Sequence, residues 1–88
     1  MPYEVRVKKK LIRSARKFPE AIQALLEELL RDLEHSGPWQ PSWPNYSKLG
    51  PDRYHCHLNY DYVACWTHEK DTIIIEVSYA GSRQSAPY

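Results

Sequence analysis

The sequence predicts an α+β domain in which a hairpin of two helices packs on one face of a four-stranded, mainly antiparallel sheet. The 88 residues suffice for one hydrophobic core and not for two, so we expect a single domain over residues 1–88. Along the chain, the spacing of apolar residues is first that of one strand, next that of two successive helices, and last that of three strands. A helical hairpin laid on one side of a sheet is the economical way to bury these elements.

The amino-terminal half accounts for the first strand and both helices. In PYEVRVK the apolar residues alternate with Glu4 and Arg6, as in a half-buried strand. KKKLIRSARKF has apolar residues at helical spacing and a basic outer face. A second helix is predicted to begin at Pro19, because proline suits the first turn of a helix. EAIQALLEELLRDLEHSG then carries a continuous apolar stripe that ends at Gly37 and Pro38.

The second half begins with a loop and continues as three strands. GPWQPSWPNYSKLGP contains four prolines, which argue against a regular element. Its large side chains Trp39, Trp43 and Tyr46 either pack back on the domain or form a binding surface. RYHCHLN, DYVACWT and TIIIEVSYA are the strand candidates, and the short polar turns between them predict an antiparallel meander.

Charge is distributed unevenly along a chain whose net charge is +1. Residues 1–17 hold seven basic side chains and one acidic one, and form either a solvated helix face or a surface that meets phosphates. No apolar run approaches the roughly 20 residues of a membrane span. The first residues lack the hydrophobic block of a secretion signal, and Cys56 and Cys65 are interpreted as reduced thiols. We therefore expect a cytoplasmic protein with no membrane partner.

Two histidines on the first strand of the meander are the candidate chemical groups. Because side chains alternate across a strand, Tyr54, Cys56 and Leu58 should face the helices, and His55 and His57 should stand on the open face. The imidazoles can be metal ligands, exposed polar residues, or groups that transfer protons and bind a phosphate. A structural metal site needs about four ligands, which the spacing does not supply, so we predict no metal and no cofactor.

Two residues of the tail AGSRQSAPY extend this set. Arg83 can bind a phosphate through two parallel hydrogen bonds. Tyr88 can stack on a base or donate a proton, and the alternative for it is a frayed terminus.

The chain resembles the RelE/ParE superfamily of toxins from bacterial type II toxin–antitoxin modules. The resemblance rests on the order of the elements, the turn Lys48-Leu49-Gly50, the strand pair RYHCHL and DYVACW, and TIIIEVSYAG followed by SRQSAPY. It is strongest toward the RelE-like ribonucleases and implies a RelE-like fold. It also implies a toxin that cuts mRNA on the ribosome without a metal, by attack of the 2′-hydroxyl on the adjacent phosphate. The implied partners are the ribosome, mRNA and a cognate antitoxin, in a toxin–antitoxin hetero-oligomer.

The resemblance also implies roles for individual residues. His55 and His57 lie where the family places basic residues on the second strand, and become candidates for general base and phosphate ligand. Arg83, which follows Gly81, would stabilise the transition state, and Tyr88 would stack on the nucleotide or transfer a proton. The implied RNA contacts are Lys48 near the second strand and, toward ribosomal RNA, Lys8, Lys9, Lys10, Arg13 and Arg16.

Two other functions remain open for the same fold. ParE-like members bind DNA gyrase, and a degenerate member would be a binding protein without activity. Val63 stands where the ribonuclease members carry an arginine, and the net charge of +1 is low for a toxin directed at the ribosome. The histidines with Arg83 and Tyr88 favour the nuclease, because gyrase inhibition does not require them, and fold alone does not decide function.

Overall fold

The computed structural model describes residues 2–88. The order of its elements confirms the predicted α+β class. They are β1 (Glu4–Val7), α1 (Lys9–Ala15), α2 (Glu20–Ser36), β2 (Ser47–Lys48), β3 (Arg53–His57), β4 (Tyr62–His68), β5 (Ile74–Ser82) and a short 3-10 turn (Arg83–Ser85).

The strands form one mixed sheet in the order β1-β5-β4-β3-β2. β1 runs parallel to β5, and the other neighbours are antiparallel. The predicted count of four strands was wrong, because Ser47 and Lys48 pair with His55 and Tyr54 as a fifth, edge strand. The prolines of this loop flank the two residues without occupying them, so their backbone groups are free to pair with the open edge of β3.

The helices end where proline and glycine require. Phe18 lies outside α1, and its N–H donates to the Ala15 carbonyl at 3.0 Å, since a residue before proline is disfavoured in helical conformation. Gly37 ends α2 with a φ of +90°, and its N–H donates to the Leu33 carbonyl at 2.9 Å. Within residues 2–88, neither helix has the length and apolar character needed to cross a membrane.

The core lies between α2 and one face of the sheet. Trp66 is its largest fully buried side chain, and its ring is stacked with those of Tyr54 and Tyr46 at centroid distances of 6.2 and 6.3 Å. The predictions of which residues face inward are confirmed for α2 and for the meander. The buried residues that share it are Ile22, Leu26, Leu29 and Leu33 from α2, and Tyr54, Cys56, Leu58, Ala64 and Trp66 from the meander.

Two of the three large aromatic residues in the loop pack into the domain. Trp43 is buried and its indole N–H donates to an oxygen of Asp32 at 2.8 Å. Tyr46 packs against the core through its stacking on Trp66. Trp39 is 50% exposed, so it alone of the three remains open to a partner.

A bulge in β5 reverses the alternation of side chains halfway along the strand. Cys65 pairs with Tyr79 and Trp66 pairs with Val77, so Ser78 has no partner across the ladder. One extra residue in a strand re-aims the side chains that follow it. Tyr79 therefore lies on the face opposite the helices, which we call the histidine face.

Candidate active site

The histidine face carries the two imidazoles predicted to share it. In the register of β3 and β4, His55 is opposite Cys65 and His57 is opposite Val63. The two imidazole centroids are 5.7 Å apart. Both lie on the predicted face of the sheet, but His55 is only 7% exposed there, whereas His57 is partly exposed.

His55 is buried because the carboxyl-terminal tail folds back over it. The Tyr88 ring lies 4.4 Å from the imidazole of His55, measured between centroids, with the planes tilted by 49°. The 3-10 turn begins where the Arg83 N–H donates to the Asp61 carbonyl at 2.8 Å, which ties the tail to the turn between β3 and β4. Tyr88 itself is 52% exposed, so one side of its ring remains available to a ligand. The alternative of a frayed terminus does not describe this arrangement.

Gly81 makes room for the tyrosine that holds the beginning of the tail. The Tyr79 hydroxyl donates to the Ser82 carbonyl at 2.7 Å. A β-carbon at Gly81 would lie 3.0 Å from that hydroxyl oxygen and 3.2 Å from Cζ of the same ring. The glycine is needed for this close approach of the ring to the backbone.

Replacing Gly81 by alanine should displace the Tyr79 ring and break its bond to Ser82. We expect a loss of about 1–3 kcal/mol in the free energy of unfolding, because the added methyl overpacks the site. Amide hydrogen exchange should become faster over residues 82–88. Gly50→Ala is the matched control, since a β-carbon there has no neighbour within 4 Å. Equal stability of the two variants would contradict the packing role of Gly81.

Each imidazole is held by a polar side chain from the segment that includes β2. The Ser47 hydroxyl lies 3.0 Å from Nδ1 of His55. The Asn45 amide nitrogen lies 3.3 Å from Nδ1 of His57. No sequence motif indicated Ser47 or Asn45. Their positions beside the histidines depend on β2, and no strand was predicted in this loop.

His55, Tyr88 and Cys65 are each neutral at neutral pH. Burial, and next the nearby His57, lower the pKa of His55 below its usual 6.5. Burial, and next Cys65, raise the pKa of Tyr88 above 10.0, so its phenol keeps its proton. Burial raises the pKa of the Cys65 thiol to about 11, which leaves it protonated and a poor nucleophile.

The lowered pKa of His55 predicts a loss of stability in acid. Below the unfolded value of 6.5 the unfolded chain binds a proton at this position more readily than the folded protein does. The free energy of unfolding should therefore fall as the pH is lowered from 7 to 5, and this contribution is regained above the unfolded pKa. Denaturant unfolding of the wild type and His55→Gln at both pH values measures it. Parallel pH dependence in the two proteins would contradict the assignment to His55.

Arg83 stacks on the ring of Tyr60 and is near enough to Tyr88 to affect its pKa. Its guanidinium carbon is 4.5 Å from the centroid of Tyr60. Its positive charge acts to lower the pKa of Tyr88, against the larger effect of burial. The side chain is exposed, so its guanidinium is accessible to an anion.

Lys48 does not join the two imidazoles. It pairs with Tyr54, and its Nζ lies 5.9 Å from the centroid of that ring, on the side of the sheet that faces the helices. The register of β2 places Ser47 beside His55 instead, and the expectation that Lys48 contacts phosphate stays a prediction.

Two of the basic residues in and around α1 lie beside the part of β5 that extends beyond its pairing with β1. Lys8 and Lys10 line a groove of about 370 Å³ together with Tyr79, which also belongs to the histidine face. Arg16 lines a separate apolar cleft between α1 and α2. The remaining two, Lys9 and Arg13, are exposed on α1.

The cysteines and possible metal ligands complete the description of the site. Cys56 and Cys65 are free thiols, and the alternation of strands β3 and β4 places them on opposite faces of the sheet. Among residues 2–88, no three side chains of His, Cys, Asp or Glu are grouped to hold a metal ion.

Solved structures share this fold, whereas no family model and no curated protein matches the sequence. An archaeal RelE–RelB complex from Pyrococcus horikoshii aligns with a TM-score of 0.78 and 19% identity, over 98% of this chain and 100% of that one. The YoeB–YefM complex from Staphylococcus aureus gives 0.70 and 12%, over 94% and 99%. The intact E. coli RelBE complex gives 0.70 and 18%, over 91% and 95%. The chain therefore has the fold of RelE and YoeB toxins, as the resemblance implied.

Proposed function

We propose that this chain is the toxin of a type II toxin–antitoxin module and that it cleaves mRNA on the ribosome. Its fold is that of RelE and YoeB toxins over nearly the whole chain. The observation that carries the proposal is the convergence of His55, His57 and Tyr88 on one face of the sheet. Two imidazoles with centroids 5.7 Å apart can flank one phosphodiester.

The proposed reaction uses the 2′-hydroxyl of the RNA as the nucleophile. His57, the more accessible imidazole, takes the 2′-hydroxyl proton as the oxygen attacks phosphorus. The bond from phosphorus to the 5′-oxygen breaks, and that oxygen takes a proton from an acid of the site. A cyclic phosphate and a 5′-hydroxyl result. Tyr88 keeps its phenolic proton at neutral pH and has one exposed side, so it can stack on a nucleobase or donate that proton.

Positive charge must compensate the phosphate as negative charge builds on it. Arg83 is exposed and can donate two parallel hydrogen bonds to phosphate oxygens. The position at which related ribonucleases carry an arginine is Val63 here, and it is fully buried. Arg83 therefore has a larger share of the electrostatic role than in a site with two arginines.

We assign the approach of RNA to the basic residues in and around α1. Tyr79 joins the histidine face to the groove that Lys8 and Lys10 line, so a strand that passes the imidazoles can continue along this groove. Lysine side chains attract the phosphate backbone without regard to sequence. We assign the neighbouring exposed cations Lys9, Arg13 and Arg16 to ribosomal RNA.

A cognate antitoxin is the proposed protein partner. The structural counterparts from P. horikoshii, S. aureus and E. coli were each solved as a complex of toxin with antitoxin. We propose that this chain likewise forms a hetero-oligomer with the product of an adjacent small gene. Trp39, half exposed beside Tyr3 and His68, is a side chain that such a partner can cover.

Primer extension on a defined mRNA tests the proposed cleavage. The purified protein should create new 5′ ends within the translated frame when ribosomes are present, and a 2′-deoxy substitution at the mapped site should prevent the cut. Intact mRNA together with inhibition of DNA gyrase supercoiling would overturn the nuclease in favour of gyrase poisoning. Intact mRNA together with uninhibited gyrase would indicate that the protein has neither activity and acts only by binding a partner.

A further inference from the structure

We infer that Ser47 and Asn45 are positioning residues, which hold the imidazoles of His55 and His57 by Nδ1 and leave both Nε2 atoms to the substrate. The Ser47 hydroxyl is 3.0 Å from Nδ1 of His55, and the Asn45 amide nitrogen is 3.3 Å from Nδ1 of His57. The assignment of a substrate to the Nε2 atoms rests on the proposed nuclease function. The contacts themselves do not depend on it.

The pairing of two antiparallel segments produces one polar partner for each histidine. Ser47 is directly opposite His55 in the register of β2 and β3. Asn45 precedes Ser47 by two residues and His57 follows His55 by two residues. Antiparallel pairing therefore brings Asn45 beside His57, on the same face. The His57 N–H donates to the Pro44 carbonyl at 2.8 Å, which keeps the two segments together beyond the end of β2.

The backbone at Asn45 supports a specific role for its side chain. Its φ is +53°, in the left-handed region that asparagine tolerates better than most residues other than glycine. This conformation places the amide against the imidazole of His57. A residue with a branched side chain would be strained here, and an apolar one would leave Nδ1 of His57 without a partner.

Hydroxyl and amide partners suit a histidine that must exchange a proton. A hydroxyl can donate or accept, and an amide donates through its nitrogen or, turned by 180°, accepts through its oxygen, so each partner can serve either neutral tautomer of the imidazole. A carboxylate could only accept, and would favour the charged imidazolium. With Nδ1 engaged in both rings, protons enter and leave through Nε2. When the Asn45 amide presents its oxygen, that oxygen accepts from Nδ1–H of His57, and Nε2 of His57 is then free to accept the proton of the 2′-hydroxyl.

The ring nitrogens can be observed directly in the full chain. Long-range ¹H–¹⁵N correlation spectra of uniformly ¹⁵N-labelled protein report the tautomer and hydrogen bonding of each imidazole between pH 5 and 8. We expect Ser47→Ala to change the Nδ1 signal of His55 and leave that of His57, and Asn45→Gly to do the converse. Glycine keeps the positive φ, so its effect reports the lost amide. Ser36→Ala, at the exposed end of α2, is the matched control.

Cleavage on the ribosome provides the second measurement. Ser47→Ala and Asn45→Gly should each lower the cleavage rate about tenfold or more, because a small displacement of a catalytic group is costly. Ser47→Thr should restore most of the rate, since it keeps the hydroxyl and suits a strand. Thermal unfolding identifies any variant that fails for lack of stability.

The two measurements separate this inference from the proposed function. Unchanged ring-nitrogen signals in both variants would overturn the inference, even if the wild type cleaves mRNA. The expected signals in a protein that never cleaves mRNA would uphold the positioning contacts and refute the nuclease.

Discussion

Replacing His57 by alanine should lower the rate of mRNA cleavage by about 10²- to 10⁴-fold, the usual contribution of a positioned general base or acid. His57 is the imidazole with partial exposure, whereas Tyr88 covers His55. Its removal opens no cavity in the core, because it lies outside the buried cluster around Trp66. The free energy of unfolding should therefore change little while the cleavage rate falls. Single-turnover cleavage on programmed ribosomes, with denaturant unfolding in parallel, measures both.

Two further histidine substitutions make this result specific. His57→Gln keeps a polar side chain beside Asn45 and removes the titrating group, so it should be as inactive as alanine if His57 transfers a proton. Substantial activity in the glutamine variant would reduce His57 to a phosphate ligand. His35→Ala, at the exposed end of α2, controls for the loss of a histidine and should cleave normally. Wild-type cleavage in both His57 variants would refute the proposed site.

Replacing Trp66 by alanine should lower the free energy of unfolding by about 3–5 kcal/mol, as expected for a large aromatic residue removed from a core. The side chain is fully buried and stacks with both Tyr54 and Tyr46. Its indole N–H donates to the Pro38 carbonyl at 3.1 Å, which ties the loop after α2 to the sheet. A small domain has a total stability of about 5–15 kcal/mol, so the variant should be largely unfolded in mild denaturant.

Two other tryptophan variants divide this loss into its parts. Trp66→Phe keeps a stacked ring and gives up the bond to the Pro38 carbonyl, so it should cost about 1–3 kcal/mol. Trp39→Ala removes a half-exposed ring and should cost much less than Trp66→Ala. Urea unfolding followed by circular dichroism compares all three. A loss at Trp39 equal to that at Trp66 would contradict the described core.

The regular elements could be predicted because local periodicity determines which side of each is apolar. The stripe of α2 and the alternation of β3 and β4 placed the core residues correctly, from Leu26 to Trp66. The same alternation placed His55 and His57 together on the opposite face. The fifth strand was missed because two residues between prolines have no periodicity of their own, and they pair only because β3 offers a free edge.

By itself, the sequence determined the class of fold, the helix-facing layer and the identity of the two imidazoles, since all three follow from contacts between near neighbours in the chain. The tertiary structure alone decided which side chains surround those imidazoles. The bulge at Ser78 brought Tyr79 to the histidine face, and the tail placed Tyr88 on His55. The pairing of β2 supplied Ser47. These placements join residues far apart in sequence, and they depend on strand register and chain reversal, which no local pattern of residues encodes.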